Sequence, residues 1–489
     1  GIYAGEASSV RSGTSRKNTE RFAWFYRAVT TVVTRLKIYC RQILQDDRWC
    51  SDVILNLTPD GVISGIEQGS SGSADVSING VVIPGMPNAH SHSFQRVIAG
   101  LTGPRGNSTD SFWSWREAMY RTANQISPDQ FGAVAEWVFV EMLRAGFTSC
   151  AEFHYLHHQP DGRAYTNLAE MSERLIQAAS ASGIAMTLLP VLYCSAGFGK
   201  NKVTDGQRRF ANSPGQYLQL LESCQKLMSG NPLNKLGLAP HSLRAVPGNI
   251  LHEVLSGWQD KSCPVHIHIA EQPAEVQDCL QYTGARPVEW LLDQFSVDQR
   301  WCLVHATHLS DSELEQAAVK KVVAGLCPTT EADLGDGVFR TQDWLRAGGR
   351  MAIGSDSNVR ISVTEELRLL EYNERLKSGR RNVLTAHGAS CGRFLYQHTA
   401  RAGGDALGQA VGRLVPGYRA DLLELDSDHE LLHGRSPDAV LDSWIFAGDT
   451  SMLNSVWVAG QRVIDQGHHV AESMLRAHFS RVLQELQTT

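Results

Sequence analysis

Val81-Val82-Ile83-Pro84-Gly85-Met86-Pro87-Asn88-Ala89-His90-Ser91-His92-Ser93-Phe94-Gln95 decides how this chain is read. Its β-branched start predicts a buried strand over 81–92 that ends in two histidines one residue apart. Side chains alternate faces along a strand, so His90 and His92 point the same way. Two imidazoles on one face at a strand end suit a divalent metal. They suit equally a pair of surface or hydrogen-bonded core histidines, and the pair alone does not separate the two.

Seven further apolar stretches extend the pattern. Strands are predicted at 148–155, 185–193, 236–243, 264–271, 301–308, 322–330 and 350–357, with amphipathic runs such as 131–145 and 167–181 between them. Strand–helix alternation repeated through residues 84–410 predicts an α/β fold, a (β/α)8 TIM-type barrel. A doubly wound open sheet is the structural alternative. No G-x-G-x-x-G opens a helix after a first strand, so a dinucleotide fold has no support. In such a barrel the chemistry sits at the C-terminal strand ends. There the chain places His90 and His92, Glu152 and His154, His241 and Arg244, His266, His268 and Glu271, His305 and His308, and Asp356. Scattered surface histidines would not respect strand ends, and this coincidence favours the metal.

The flanking segments are different. Runs 53–57 and 62–66, joined by Thr58-Pro59-Asp60-Gly61, read as a β-hairpin. Runs 417–425 and 455–463 return as strands near the other end. Residues 46–83 and 411–489 are therefore expected to build one small β-sandwich domain with a C-terminal helix. Residues 1–45 carry eight Lys/Arg against two Glu, in a chain whose net charge is −6. Phe22, Phe25, Tyr26, Val29, Val32, Val33 and Leu36 fall there at helical spacing, and the Arg- and Ser-rich, acid-poor sequence also fits a transit peptide. The segment is read as a basic N-terminal extension, from which no function is drawn.

Composition narrows the partners. Negative net charge argues against nucleic acid. Mean hydropathy is slightly negative, and no run of about 18 apolar residues predicts a membrane span. Ten scattered cysteines without a C-x-x-C pair read as reduced thiols of a cytoplasmic protein.

As a set, P-G-M-P-N-A-H-S-H, H-I-H-I-A-E, L-V-H-A-T-H and I-G-S-D-S resemble the amidohydrolase superfamily, in its mononuclear-zinc deaminase branch. Similarity is greater still to the formimidoylglutamate deiminases. It is carried by D-S-F-W-S-W-R-E (110–117), A-E-F-H-Y-L-H-H (151–158), L-L-P-V-L-Y (188–193), H-S-L-R-A-V (241–246) and T-E-A-D-L-G-D-G (330–337). The resemblance implies one zinc ion held by His90, His92, His268 and Asp356, a borderline-soft donor set with room for a water. His268 is preferred to His266 because Glu271 follows it by three, matching the family's H-x-x-E. His266 and His308 are expected to be structural. No lysine occurs in 236–243 to bridge a second metal.

The resemblance also implies roles. Glu271 would carry a proton to the substrate nitrogen, His305 would orient the water and polarise the substrate, and Asp356 would accept a proton from that water. Gln95, Arg116, Tyr155, His241 and Arg244 complete the implied substrate set, with the arginines gripping the two carboxylates of N-formimino-L-glutamate. The implied reaction yields N-formyl-L-glutamate and ammonia, a step of histidine degradation. Large barrel enzymes of this type often dimerise, so a homodimer is expected. Two residues depart from the family's pattern: Asn358, where His often follows Ser-Asp-Ser, and Asp333, where the family has Asn. A charge at Asp333 would weaken binding of a dianion if it faced the pocket. The alternatives are a hydrolase of another amidine, guanidine or heterocycle, and a non-catalytic protein of the same fold. Paired arginines favour the first reading over the second, and the complete ligand set with Glu271 argues against the third.

Overall fold

The predicted strand 81–92 is two strands that part at Gly85. The computed structural model describes residues 36–101, 112–200, 202–386 and 388–487. Before the break lie β1 (Leu36–Gln45), β2 (Arg48–Leu57), β3 (Ile63–Gln68) and β4 (Val76–Pro84). After it comes β5 (Met86–Ser91), the first strand of the barrel. The Gly85 N–H donates to the Asp421 carbonyl at 2.8 Å, and a Cβ at this position would lie 2.3 Å from Thr148 Oγ1. Only glycine lets the backbone pass this closely.

Seven more barrel segments follow: β6 (Phe147–His154), β7 (Ala185–Leu192), β8 (Asn234–Leu236) with its continuation β9 (Ala239–Pro240), β10 (Val265–Ile269), β11 (Trp301–His305), β12 (Val323–Leu326) and β13 (Arg350–Ile353). Adjacent strands pair in parallel from β5 to β8, and again from β10 to β13. Bridges Leu238↔Val265 and Ser242↔His268 join the two runs, and Ser91↔Asp356 closes the ring. Every residue of β5, β6, β7, β10, β11 and β12 is buried, as parallel strands covered on both faces require. Gly354 serves the seam: a Cβ there would sit 2.8 Å from the backbone of His90.

Five strand predictions were too long: 264–271, 301–308 and 350–357 end at Ile269, His305 and Ile353, and the other two are broken by sequence. Prediction 236–243 is interrupted at Gly237-Leu238, and 322–330 stops at Leu326 because Pro328 opens a helix, Pro328–Leu334. The helix Pro128–Arg144 is well signalled, with Pro128 at its first position and a capping box between Ser127 and Gln130.

Both chain ends meet in one sheet. β14 (Leu422–Leu425), β15 (Leu453–Val458), β16 (Gln461–Asp465) and β17 (His468–His469) join the first four strands in the order β17-β16-β15-β14-β4-β1-β2-β3. These eight strands form a single hydrogen-bonded order. They enclose a small core that includes Ile38, Val53, Leu55, Leu422 and Trp457. Prediction 455–463 is a hairpin, turned by Ala459 and Gly460 at φ 51° and 74°.

The boundary of the N-terminal extension needs correcting. Residues 36–45 are β1, inside the sheet between β4 and β2. In β1 Ile38, Tyr39 and Cys40 are buried in succession, as are Ile43 and Leu44, so the segment lacks the period-two signal of a strand, and its first residue, Leu36, falls in the helical spacing read upstream. The remainder, 1–35, and the helix expected there lie outside the described residues. All ten cysteines are free. No helix among the described residues is long and apolar enough to cross a membrane.

Candidate active site

His90 on β5, His92 just beyond it, His268 on β10 and Asp356 just beyond β13 converge at the C-terminal end of the barrel. Their ligand atoms all lie within 4.8 Å of one another, and all four residues are buried. His90 Nε2 is 3.1 Å from His92 Nε2 and 3.0 Å from His268 Nε2. Asp356 Oδ1 is 3.5 Å and 3.3 Å from the Nε2 atoms of His90 and His92.

The other ring nitrogens decide what faces this point. His92 Nδ1 donates to the Phe153 carbonyl at 2.7 Å, and His268 Nδ1 to the His241 carbonyl at 3.1 Å. Each ring proton is thus placed on Nδ1, leaving a lone pair on Nε2. Burial keeps the imidazoles neutral, driving His90 down to about 3, lowering His92, and holding His268 well below its ordinary value. Burial also works against the charge of Asp356. The hydrogen bond with His90 and the field of His305 outweigh it and hold the carboxyl below its usual range. Three neutral imidazoles whose Nε2 atoms face one point with a carboxylate fit a divalent cation.

The chain turns sharply around this centre. His305, Asp356 and Asn358 have φ of 65°, 44° and 56°, and Ala270, just before Glu271, has 51°. Left-handed backbone at non-glycine residues costs about 1–3 kcal/mol each and is retained where a site requires it.

Glu271 Oε1 lies 3.9 Å from His305 Nε2, and Asp356 Oδ2 lies 3.7 Å from the same nitrogen. Burial raises the Glu271 carboxyl against the pull of His305 and Arg244. Burial opposes charge on His305 too, but Glu271, Glu331 and Asp356 surround it and lift it well above its ordinary value. Backbone N–H groups of Ala270 and Glu271 donate to the buried Glu275 carboxylate at 3.2 and 3.1 Å, which fixes the turn that presents Glu271.

All five predicted substrate residues, Gln95, Arg116, Tyr155, His241 and Arg244, line one cleft with His92, His268, Glu271, His305 and Asp356. Gln95 Nε2 donates to the Tyr155 hydroxyl at 2.7 Å, while Gln95 Oε1 is buried without a protein partner. Arg244 follows β9 and reaches within 4.0 Å of Glu271 Oε2. Arg116 comes from the helix Phe112–Gln125 and lies 5.5 Å over the Tyr120 ring. Sequence reading passed over Tyr120, Tyr193 and Phe210, which line the same cleft. Two left a signal: Tyr120 is one helical turn from Arg116, and Tyr193 directly follows β7.

Other candidates fall outside the cleft. His266 is buried and hydrogen-bonded through Nε2 to the Ala406 carbonyl at 2.7 Å. His308 bonds the Asp336 carbonyl at 2.8 Å, His154 stacks on Phe131, and Glu152 accepts from the Ser93 N–H at 2.7 Å. Asn358 is fully buried and spans the barrel seam. It accepts from Ser355 Oγ at 2.7 Å and donates to Ser91 Oγ and the His92 and Asp356 carbonyls, each at 3.1 Å. Asp333 is exposed and not among the cleft residues. A separate groove of about 1760 Å³, bordered by the helices Pro128–Arg144, Glu170–Ser182 and Glu472–Gln487, contains none of the site residues.

Known proteins match this arrangement. Residues 81–463 match the amidohydrolase family. A formimidoylglutamate deiminase of Pseudomonas aeruginosa is 47% identical over 450 residues, covering 92% of this chain and 99% of that protein. An amidohydrolase crystal structure from Brucella melitensis superposes with a TM-score of 0.87 at 46% identity, over 92% of this chain and all (100%) of that one. An adenosine deaminase from Xanthomonas campestris, with bound zinc, shares the fold at a TM-score of 0.76 and 20% identity, over 93% of this chain and 99% of that one. By sequence, by fold and by the residues gathered at its strand ends, the chain belongs to the amidohydrolase family.

Proposed function

We propose that this protein hydrolyses the imino group of N-formimino-L-glutamate, releasing ammonia and N-formyl-L-glutamate. The observation that carries the proposal is a single cleft in which a metal-type donor set, Glu271 and His305 share walls with two guanidinium groups, Arg116 and Arg244. The similarity to the Pseudomonas aeruginosa formimidoylglutamate deiminase supports the same reading. One zinc ion per chain is the proposed cofactor, held by His90, His92, His268 and Asp356. Such an ion supplies hydroxide at neutral pH by lowering the pKa of water to about 7.

The residues divide the remaining work. Arg244 and Arg116 pair with the substrate carboxylates, and the carboxylate on Arg244 shares that guanidinium with Glu271. Gln95, through its unpartnered Oε1, accepts an N–H of the substrate, beside Tyr155. Asp356 keeps its carboxylate form and takes a proton from the attacking water. Glu271, whose carboxyl burial raises against the pull of His305 and Arg244, delivers a proton to the imino nitrogen. His305 faces the developing charge with Nε2. His241 stays neutral because burial and the neighbouring Arg244 both disfavour its cation. The proton that Asp356 took from the water passes to the same imino nitrogen, the tetrahedral hydroxyl returns its proton to Glu271, and collapse expels ammonia and leaves a formamide.

Metal analysis with an ammonia-release assay over formimino and guanidino acids tests the proposal. About one zinc per chain and preference for formiminoglutamate support it. A metal-free active protein, or a neutral heterocycle turned over faster, rejects it. Light scattering tests the expected homodimer.

A further inference from the structure

The helix Pro328–Leu334 begins two residues after β12, and its first turn reaches behind the reaction centre. Glu331, 5% exposed, turns its carboxylate toward the barrel axis. Its Oε1 accepts from His305 Nδ1 at 3.1 Å and from the Cys327 backbone N–H at 2.8 Å. Cys327 is the residue that caps this helix, so the carboxylate is anchored by an N–H at the helix start. The neighbouring Thr330 anchors the helix to the loop carrying Asp356, its Oγ1 lying 3.0 Å from Ser357 Oγ. The support behind His305 is therefore tied to the backbone on one side and to the Asp356 loop on the other.

His305 needs such support. Its φ of 65° takes it out of strand geometry, so the pleat of β11 does not aim its ring. Its only carboxylate contact within 3.5 Å among the described residues is Glu331; Asp356 and Glu271 stand at 3.7 and 3.9 Å on the Nε2 side. We propose that Glu331 is the positioning residue for His305: it holds Nδ1–H and thereby fixes which ring nitrogen faces the substrate. A buried carboxylate on the far nitrogen of a reacting imidazole sets both tautomer and ring angle. The inference rests on the role given to His305 under the proposed function.

Both hydrogen bonds fall on one oxygen, Oε1, so glutamine can keep both while leucine keeps neither. The test uses the zinc-loaded full-length chain carrying Glu331→Leu, Glu331→Gln, His305→Gln, or His305→Gln with Glu331→Leu. Glu331→Leu is expected to lower kcat for formiminoglutamate about 10²-fold with KM within about twofold and zinc unchanged. Glu331→Gln should recover about tenfold of that loss. The double variant should be no slower than His305→Gln alone, because Glu331 reaches the reaction only through His305. Should Glu331→Leu fail to fold, Glu331→Gln combined with His305→Gln gives the same comparison. Parent-like kcat in Glu331→Leu, or losses that multiply in the double variant, overturn the inference and leave the proposed function standing. Parent-like kcat in His305→Gln overturns the role of His305 itself.

Discussion

The two ends of the cleft are built differently. At the metal-type end, His90, His92, His268 and Asp356 stand on or directly after barrel strands, and backbone carbonyls of Phe153 and His241 hold two of the rings. At the recognition end, Arg116 stands on the helix Phe112–Gln125 and Arg244 on the turn beyond β9. The first end is set by strand register, which cannot shift without breaking the barrel. The second is set by elements that lean on it. Rigid strands fix where bonds are made and broken, and peripheral elements choose what is brought there.

This contrast can be broken at either end. His268→Ala should lose most of its zinc and reduce turnover about 10³-fold or more, whereas His266→Ala, which removes only the bond to Ala406, should keep the metal. Metal analysis of both variants decides, and the reverse pattern would move the ligand two residues down β10. Next in size, Glu271→Gln should cut kcat by at least ~10²-fold with zinc unchanged, since the amide cannot shuttle a proton.

At the recognition end, Arg244→Met should lower kcat/KM for formiminoglutamate about 10²-fold with zinc retained, because a substrate carboxylate is left unpaired. Arg244→Lys should lose less, keeping charge without the fork. A formimino compound lacking the carboxylate that Arg244 holds should barely register the change, and steady-state kinetics on that compound sharpens the contrast. Asn358→Ala leaves several seam groups unpaired and should lower stability by about 1–3 kcal/mol, read as a shifted denaturant midpoint. Smallest of all, Asp333→Asn should change kcat/KM less than about twofold, since Asp333 is exposed and outside the cleft. A large effect there would mean that the cleft extends to the helix Pro328–Leu334 face carrying Asp333.

Strand-borne residues were legible because period two and strand ends are sequence properties. His90 and His92 share parity, and His268 precedes Glu271 by three. Departures from regular spacing hid the rest. Adjacent buried residues in β1, Ile38-Tyr39-Cys40 and Ile43-Leu44, hid the alternation of a central strand within the basic extension. Pro328 ended β12 earlier than its apolar run suggested, so Glu331 sat in a motif without an assigned partner. Its pairing with His305 depends on how far β11 and β12 are offset, which no single stretch encodes. Tyr120 and Tyr193 are bridged by Gln207, distant from both in sequence, whose Nε2 donates to their hydroxyls at 3.1 and 2.9 Å. The Asn358 departure, which from sequence bore on the substrate, is explained by the seam.

That seam has a consequence for how the protein is made. The Asp356 N–H donates to the His90 carbonyl and the His92 N–H to the Asp356 carbonyl, both at 2.9 Å, so the first and last barrel strands meet through the proposed ligand residues themselves. A growing chain that has emerged as far as His268 carries three of the four donors but no closed ring. The fourth arrives with the last strand, and the hydrogen bonds that bring it shut the barrel. Completion of the donor set and closure of the barrel are therefore one event, and tight metal capture at the proposed site would report that synthesis has passed β13.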